Sequence, residues 1–325
     1  MRGFPAFAEH RRIGFGAGGA DGGCAVAELA GARILVTGGA GFVGRSVVPA
    51  LRAAGATVTV LDRDPYPDGA VPSVVGDLRD RAVRDAAVTP DLSGIVHLAA
   101  QTSVLGSLAR PALVHEVNVE ATAALLELAR VRGIPRFLMT STNAVVGDRG
   151  DATLHEDLPL RPLTPYGATK AAAEMLLSGY AGGYAMTTCA VRLTNVYGPG
   201  MAHKDSLVPR IMRAARADGP VHVYGTGEQR RDFVHVTDAV AGILAAWRAD
   251  LVGPLIVGAG RSVSVLEVLA VAGEVIGRPV KVEHVDPKPG EMPAVIVSID
   301  RARGLGYRPS VGLAEGLATV WDEFR

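Results

Sequence analysis

The chain has 325 residues, which is long for one domain and sufficient for two at roughly 150 residues per domain. Its 33 Lys and Arg residues balance 33 Asp and Glu residues, and this neutrality argues against a nucleic-acid-binding protein. The mean hydropathy of +0.24 excludes a disordered chain, and the absence of a run of about 18 uncharged apolar residues argues against a membrane span. The two cysteines are far apart and fit a reducing compartment, so we expect a cytoplasmic protein.

Residues 1–31 differ from the rest of the chain. They are dense in glycine and show no periodic apolar pattern. They also lack the continuous apolar core of roughly 7–15 residues that a secretory signal needs. We therefore expect a flexible N-terminal extension.

Between residues 32 and 194, short apolar runs alternate with segments of helical periodicity. The runs predict strands at 33–37, 57–62, 73–75, 94–99, 136–142 and 187–193, and the periodic segments predict helices at 42–55, 117–131 and 166–180. Strands that alternate with helices indicate βαβ units. We therefore predict an α/β fold with a Rossmann-type, doubly wound parallel sheet. Pro49 predicts a kink within the first helix.

After residue 194 the pattern loosens. Proline and glycine interrupt short strands and one amphipathic helix. We predict a smaller, discontinuous substrate-binding domain over 195–234 and 261–325. The intervening segment, 235–260, is expected to return to the first domain.

The segment TGGAGFVG (37–44) lies between the first predicted strand and the first predicted helix. Gly38 and Gly41 have no Cβ, so a pyrophosphate can approach the free N–H groups at the helix N-terminus. Asp62 ends the second strand, where a carboxylate accepts hydrogen bonds from both ribose hydroxyls of a dinucleotide. This carboxylate would repel a 2′-phosphate and favours NAD over NADP, although the neighbouring Arg63 weakens that inference.

Further residues follow the third and fourth predicted strands. Asp77 is either an acceptor for the adenine amino group or a turn residue. Ala99 and Ala100 are small enough to let the backbone pass beside a cofactor. His97 lies within an apolar strand and is predicted to be a core histidine with satisfied hydrogen bonds.

Tyr166 and Lys170 are four residues apart in a segment that predicts a helix with Thr164 as its N-cap. This spacing places them on one helix face, so the ammonium group, together with a cationic nicotinamide, favours the phenolate and lowers the pKa of the phenol. Such a tyrosine can take a proton from a sugar hydroxyl. Thr142, at the end of the strand 136–142, can hydrogen-bond the reacting oxygen or its own backbone.

The order of these motifs resembles one superfamily. TGGAGFVG, Asp62, GDL, HLAAQTSV, STNAVVG, YGATK, VRLTNVYGPG and RRDFVHVTDAV follow one another as in the extended short-chain dehydrogenases/reductases. The chain is similar, from about residue 33 onward, to the NAD-dependent nucleotide-sugar epimerase/dehydratase branch, which includes UDP-glucose 4-epimerase.

This resemblance implies a set of site residues. The implied catalytic residues are Thr142, Tyr166 and Lys170. The implied cofactor-binding residues are Gly38, Gly41, Phe42, Val43, Asp62, Arg63, Asp77, Leu78, Leu98, Ala99, Ala100, Asn118, Tyr166 and Lys170. The implied substrate-binding residues are Gln101, Ser103, Thr142, Asn143, Tyr166, Asn195, Val208, Val223, Tyr224, Arg231, Lys288 and Glu291.

The residues after Thr142 bear on the reaction. Members that resemble 4,6-dehydratases carry Asp-Glu there, related decarboxylases usually keep the Glu, and this chain has Asn143 and Ala144. A 4-ketoreductase would more often use NADPH, which Asp62 disfavours. The resemblance therefore implies an NAD-dependent 4-epimerase, with dehydratase, decarboxylase, ketoreductase and, from another class, a non-catalytic nucleotide-binding scaffold as alternatives.

The resemblance also implies partners. The substrate would be a nucleotide-diphosphate sugar, with a UDP-hexose favoured, and no metal, nucleic acid or membrane is expected. The helices 117–131 and 166–180 would pair with a second copy as a four-helix bundle in a homodimer. Two departures concern the substrate pocket: Val146 replaces the usual tyrosine, and Lys288 replaces the arginine that many epimerases place at the diphosphate.

Overall fold

The computed structural model describes residues 29–286 and 294–325. Most of the predicted N-terminal extension lies outside these ranges, as do two predicted substrate residues, Lys288 and Glu291. Within the described ranges, no helix is long and apolar enough to cross a membrane.

The strands of the described residues form one large sheet and two smaller ones. Their bounds are Arg33–Thr37 (β1), Thr57–Asp62 (β2), Ser73–Val75 (β3), Gly94–His97 (β4), Arg136–Thr142 (β5), Thr187–Leu193 (β6), Asn195–Tyr197 (β7), Val221–Tyr224 (β8), Arg230–His235 (β9), Gly253–Val257 (β10), Ser262–Ser264 (β11) and Val282–Val285 (β12). The predicted bounds of β1, β2, β3, β5 and β6 are confirmed.

Seven of these strands form the sheet of the larger lobe in the order β10-β6-β5-β4-β1-β2-β3. Neighbouring strands are parallel. In the central strand β1, Ile34 pairs with Val58 of β2 on one side and with Gly94 of β4 on the other. The chain winds from β1 in both directions, and the predicted doubly wound parallel sheet is confirmed. Such a sheet places its ligand site where the winding reverses, at the carboxyl ends of β1 and β4.

Helices cover both faces of this sheet. The helix bounds are Gly44–Ala53 (α1), Arg81–Ala87 (α2), Val104–Ala109 (α3), Pro111–His115 (α4), Ala121–Val131 (α5), Pro165–Tyr184 (α6), Leu207–Arg216 (α7), Val236–Arg248 (α8), Val265–Ile276 (α9), Asp300–Gly304 (α10) and Leu313–Trp321 (α11). Val48 of α1 and Ile243 of α8 are buried on one face, whereas Leu125 of α5 and Leu177 of α6 are buried on the other. The helix α1 continues past Pro49.

The smaller lobe has its own core. A three-stranded sheet in the order β11-β9-β7 and the pair β12-β8 pack with α7, α9 and α11. Ile211, Val268 and Leu317 are completely buried at the centre of this core. The segment between the two parts of this lobe supplies α8 and β10, and β10 pairs with β6 in the larger sheet.

The prediction for His97 is confirmed. Its Nδ1 and Nε2 lie 2.6 and 2.9 Å from the hydroxyls of Thr37 and Thr122, and its ring is buried. Burial lowers the pKa of His97 to about 3, so this histidine is neutral. Elsewhere in the described part of the chain, no group of His, Cys, Asp or Glu could hold a metal ion.

Candidate active site

A cleft of about 1040 Å³ opens at the carboxyl ends of the larger sheet and is lined by residues of both lobes. Most of the predicted site residues line it. They are Gly38, Gly41, Phe42, Val43, Asp62, Arg63, Asp77, Leu78, Leu98, Ala99, Ala100, Gln101, Thr142, Tyr166, Lys170, Asn195, Val208, Val223, Tyr224 and Arg231.

The glycine-rich turn between β1 and α1 forms one wall of the cleft. Gly38 has a φ of +73°, and a Cβ there would lie 2.6 Å from the backbone nitrogen of Ala99. The carboxylate of Asp62 accepts a hydrogen bond of 2.9 Å from the backbone N–H of Ala40. The turn thus has the close backbone approach that a pyrophosphate requires and a carboxylate beside it for a ribose, so these residues fit NAD.

Asp77 is held as a turn residue at the adenosine end. Its carboxylate accepts hydrogen bonds from the backbone and the guanidinium of Arg79, and these bonds lower the pKa of Asp77. Arg79 also pairs with Glu116 at 2.9 Å. The turn-residue alternative for Asp77 therefore describes the contacts of this carboxylate, which also lines the cleft.

Tyr166, Lys170 and Thr142 come together at the centre of the cleft. Thr164 caps α6 by accepting from the backbone N–H of Gly167 at 3.2 Å, and Pro165 is its first helical residue, as predicted. Tyr166 and Lys170 are both buried on the face of α6 toward the cleft. The hydroxyl of Thr142 accepts a hydrogen bond of 3.2 Å from the backbone N–H of Ala144, and Thr142 is near enough to the Tyr166 phenol to lower its pKa.

Burial shifts the two titrating groups in opposite directions. It raises the pKa of Tyr166 to about 12, against a smaller lowering by the neighbouring Thr142 side chain. It lowers the pKa of Lys170 to about 8, while Glu174 opposes this change. The lowering expected from the Lys170 ammonium and a cationic nicotinamide is opposed by desolvation, which is the largest of the protein's own contributions to the pKa of Tyr166.

Asn118 connects two of the elements that form the cleft. It lies in a π-helical turn, Glu116–Glu120, that precedes α5. Its amide accepts from the backbone N–H of Gln101 at 2.8 Å and donates to the carbonyl of the same residue at 3.0 Å and to the hydroxyl of Thr169 at 3.1 Å. Asn118 thereby joins the loop after β4 to α6, and it does so without lining the cleft itself.

Two predicted substrate residues also lie outside the cleft lining. The side chain of Ser103 caps α3 by accepting from the backbone N–H of Gly106 at 2.9 Å. Asn143 is buried in the turn Asn143–Val146, and its amide atoms have no hydrogen-bond partner among the described residues. The local backbone conformation sets the direction of both side chains: Ser103 is the N-cap of α3, and Asn143 begins a tight turn.

The smaller lobe contributes the other wall. Asn195 donates to the carbonyl of Asp232 at 3.1 Å, and Arg231 and Tyr224 line the same region. Arg210 forms a two-bond ion pair with Asp205 at the edge of the cleft. This wall therefore combines cations, an amide and a phenol, which suit a diphosphate and its nucleoside.

Two further features of the site escaped the sequence interpretation. Lys204 lines the cleft with its Nζ 5.4 Å from the centroid of the Phe42 ring, and burial lowers its pKa. Glu174 and Arg192 form a buried ion pair beneath Lys170. The four-residue spacing between Lys170 and Glu174 is visible in the sequence and could have identified the second feature.

Comparisons with known proteins agree with this geometry. The sequence profile of the NAD dependent epimerase/dehydratase family matches residues 34–257. The chain therefore belongs to the NAD dependent epimerase/dehydratase family, and the predicted family and its cofactor, NAD, are confirmed.

The relatives include more than one reaction type. The dTDP-glucose 4,6-dehydratase of Streptomyces griseus is 33% identical over 305 residues, which cover 89% of this chain and 92% of the relative. The solved UDP-glucose 4-epimerase of Thermus thermophilus, a complex with NAD, is 33% identical with a TM-score of 0.84, over 90% of this chain and 99% of the other. The solved MoeE5, in complex with UDP-glucuronic acid and NAD, is 36% identical with a TM-score of 0.82, over 89% and 98% of the two chains.

Proposed function

We propose that this protein is an NAD-dependent nucleotide-sugar 4-epimerase. The observation that carries the proposal is the group of Thr142, Tyr166 and Lys170 in the cleft, in which Tyr166 and Lys170 are buried and Thr142 is followed by the neutral residues Asn143 and Ala144. Oxidation and reduction at one carbon need one residue that moves a proton, whereas elimination of water also needs an acid and a base at a second carbon. The two neutral residues therefore favour epimerisation over dehydration.

The chain's own residues define the proton transfers. Tyr166, as the phenolate, takes the proton of the sugar C4 hydroxyl and later returns a proton to the same oxygen, when the C4 ketone is reduced on its opposite face. Thr142 orients the reacting oxygen, and the ammonium group of Lys170 stabilises the phenolate. NAD bound in the glycine-rich turn supplies a reversible hydride acceptor. The 4-keto sugar turns about its diphosphate link between the two steps.

The same proposal assigns the substrate end of the cleft. Arg231 and Asn195 lie where they can bind a diphosphate, and Val208, Val223 and Tyr224 can surround the nucleoside. Solved relatives that contain UDP-sugars support a UDP-hexose as the substrate class. Lys288 and Glu291 retain their predicted roles in this binding.

Incubation of the purified protein with UDP-glucose, UDP-glucuronate and their N-acetyl derivatives tests the reaction. We expect proton NMR to show the C4 epimer of at least one of them, without net consumption of an added reductant. Accumulation of a 4-keto-6-deoxy sugar would establish a dehydratase, loss of carboxylate a decarboxylase, and stoichiometric oxidation of NADPH a reductase. NAD binding without turnover of any nucleotide sugar would favour the scaffold.

We also propose a homodimer formed through α5 and α6. Apolar side chains are exposed on these helices, among them Val131 at 64% and Met175 at 63%. Polar contacts join the same helices, since Tyr180 donates to Glu127 at 2.9 Å. Burial of this surface in a four-helix bundle would remove the apolar side chains from water.

Light scattering at micromolar concentration tests the dimer. We expect the mass of two chains for the unmodified protein and of one chain for Met175→Glu, because the new carboxylate would be buried without a partner. Val252, 55% exposed in the loop between α8 and β10, gives the control Val252→Glu, which is expected to stay dimeric. A monomeric unmodified protein would disprove the interface.

A cytoplasmic location is part of the same proposal. Cys189 is a free thiol buried in the core, and burial raises its pKa to about 12. Such a thiol is unreactive and fits a reducing compartment.

A further inference from the structure

A buried ion pair lies beneath the catalytic lysine. Glu174 follows Lys170 by one turn of α6, and Arg192 faces it from β6. The guanidinium Nη2 lies 2.7 Å from one carboxylate oxygen, and Nε lies 3.0 and 3.2 Å from the two oxygens. Both side chains are more than nine-tenths buried, so their charges are poorly screened by solvent.

The remaining hydrogen bonds hold the carboxylate in place. The hydroxyl of Ser141, the residue before Thr142, donates to Glu174 at 2.5 Å. Arg192 uses its other terminal nitrogen to donate to the carbonyl of Glu156 at 3.1 Å. Every hydrogen bond described for the Glu174 side chain is one that it accepts, as an ionised carboxylate does.

Stability alone does not explain this pair. A buried ion pair loses so much hydration that apolar residues of similar volume often stabilise a protein equally well or better. This pair lies beside a lysine that burial would otherwise tend to deprotonate. Glu174 provides a negative charge one helical turn from that lysine, and Ser141 and Arg192 keep the charge in place.

The other charged and titratable groups near Lys170 do not replace this contribution. His97 of β4 is neutral because of burial, and the Cys189 thiol of β6 is neutral for the same reason. Tyr166 is the group whose phenolate form the Lys170 ammonium stabilises in the proposed mechanism. Glu156 contacts the far side of Arg192 through its carbonyl, while its carboxylate accepts from the backbone N–H of Ile256.

We propose that Glu174, held by Arg192 and Ser141, is a positioning residue that keeps Lys170 protonated at neutral pH. The link to catalysis rests on the proposed proton transfer by Tyr166, since the protonated lysine is what stabilises the phenolate. Loss of the Glu174 charge makes deprotonation of Lys170 easier and confines activity to lower pH.

The protonation of Lys170 can be followed without any enzyme assay. The chain contains four lysines, Lys170, Lys204, Lys281 and Lys288, so ¹³C-lysine labelling gives four signals, and the Lys170→Met variant assigns the one of interest. We expect the midpoint of its pH titration to fall by about one unit in Glu174→Gln, which removes one close opposite charge. The alkaline limb of the pH profile of kcat should move in the same direction.

A second variant keeps the test decisive if Glu174→Gln does not fold. Glu174→Gln combined with Arg192→Met removes both charges and leaves no unpaired ion in the core. Its Lys170 midpoint should also fall, though less, because loss of the Arg192 charge acts on Lys170 in the opposite direction. Asp238→Asn is the control: this buried carboxylate in α8 accepts from the backbone N–H groups of Ser310 and Val311, and its neutralisation should lower Tm without moving the midpoint.

The outcomes separate this inference from the proposed function. An unchanged Lys170 midpoint in folded variants would overturn the inference and leave a purely structural ion pair, whatever reaction is found. A lowered midpoint in a protein that epimerises no sugar would support the electrostatic role and contradict the epimerase assignment. A lowered midpoint without a change in the pH profile of an active enzyme would refute the link to catalysis.

Discussion

Replacement of Tyr166 by phenylalanine is expected to lower kcat about 10²–10⁴-fold, the range typical for loss of a general acid–base residue. The variant keeps the ring that is buried in the cleft wall and removes the phenol oxygen near Thr142. His97 cannot replace the phenol, because it uses both ring nitrogens in the core. Steady-state kinetics on the nucleotide sugar that turns over gives the loss.

The same variant should keep its cofactor. The glycine-rich turn and Asp62 are separate from the phenol, so NAD released from the denatured variant should match the amount from the unmodified protein. Tyr307→Phe is the matched control: its buried hydroxyl donates to the carbonyl of Gly258 at 2.8 Å, and its loss costs about 1 kcal/mol of stability with kcat unchanged. Turnover by Tyr166→Phe at the unmodified rate would contradict the catalytic assignment.

The larger sheet could be predicted from sequence because its strands are nearly continuous apolar runs. In β5, Arg136–Thr142, the β-branched and large apolar residues between two loops fix both ends of the strand. The apolar run of β4 predicts a strand to residue 99, whereas the strand ends at His97. Leu98 and Ala99 remain bound to the end of β1, through the carbonyl and the hydroxyl of Thr37, and then turn along the cleft.

Features that depend on distant partners were not predictable in the same way. The short helices α3 and α4 and the π-helical turn at Asn118 have no clear periodicity and follow from contacts with α6. The upward shift of the Tyr166 pKa requires knowledge of how deeply the phenol is buried. The ion pair of Glu174 and Arg192 joins residues 18 positions apart, and the packing of α6 against β6 brings them together.

Motifs located the site well where short segments determine it. Thr164, Tyr166 and Lys170 belong to one helix start, so their relative positions follow from helix geometry. The sequence could not tell which side of the turn Asn143–Val146 would face the cleft, and Asn143 turns out to be buried beside it. Motif order thus predicts which elements meet, while side-chain directions in irregular turns require the structure.

Replacement of Gly44 by alanine is expected to destabilise the protein by about 2–3 kcal/mol, the cost of overpacking a closed site. A Cβ at this first residue of α1 would lie 2.3 Å from the carbonyl oxygen of Gly38 and 2.5 Å from that of Gly39. Because both contacts are with backbone, no side-chain rotation relieves them, and the turn must open. Thermal unfolding should show Tm lower by about 3–5 °C, and the purified protein should contain less NAD.

Gly182→Ala makes the same chemical change where there is room for it. Gly182 lies within α6, and a Cβ there would meet no atom within 4 Å. Alanine is favoured over glycine inside a helix by about 0.5–1 kcal/mol, so this control should be as stable as the unmodified protein or more so. If Gly44→Ala unfolds at the same temperature as Gly182→Ala and keeps its NAD, the close packing of the glycine-rich turn against α1 is not what holds the cofactor. If Gly44→Ala loses both stability and NAD, the turn that fits the pyrophosphate is also the structural junction between β1 and α1.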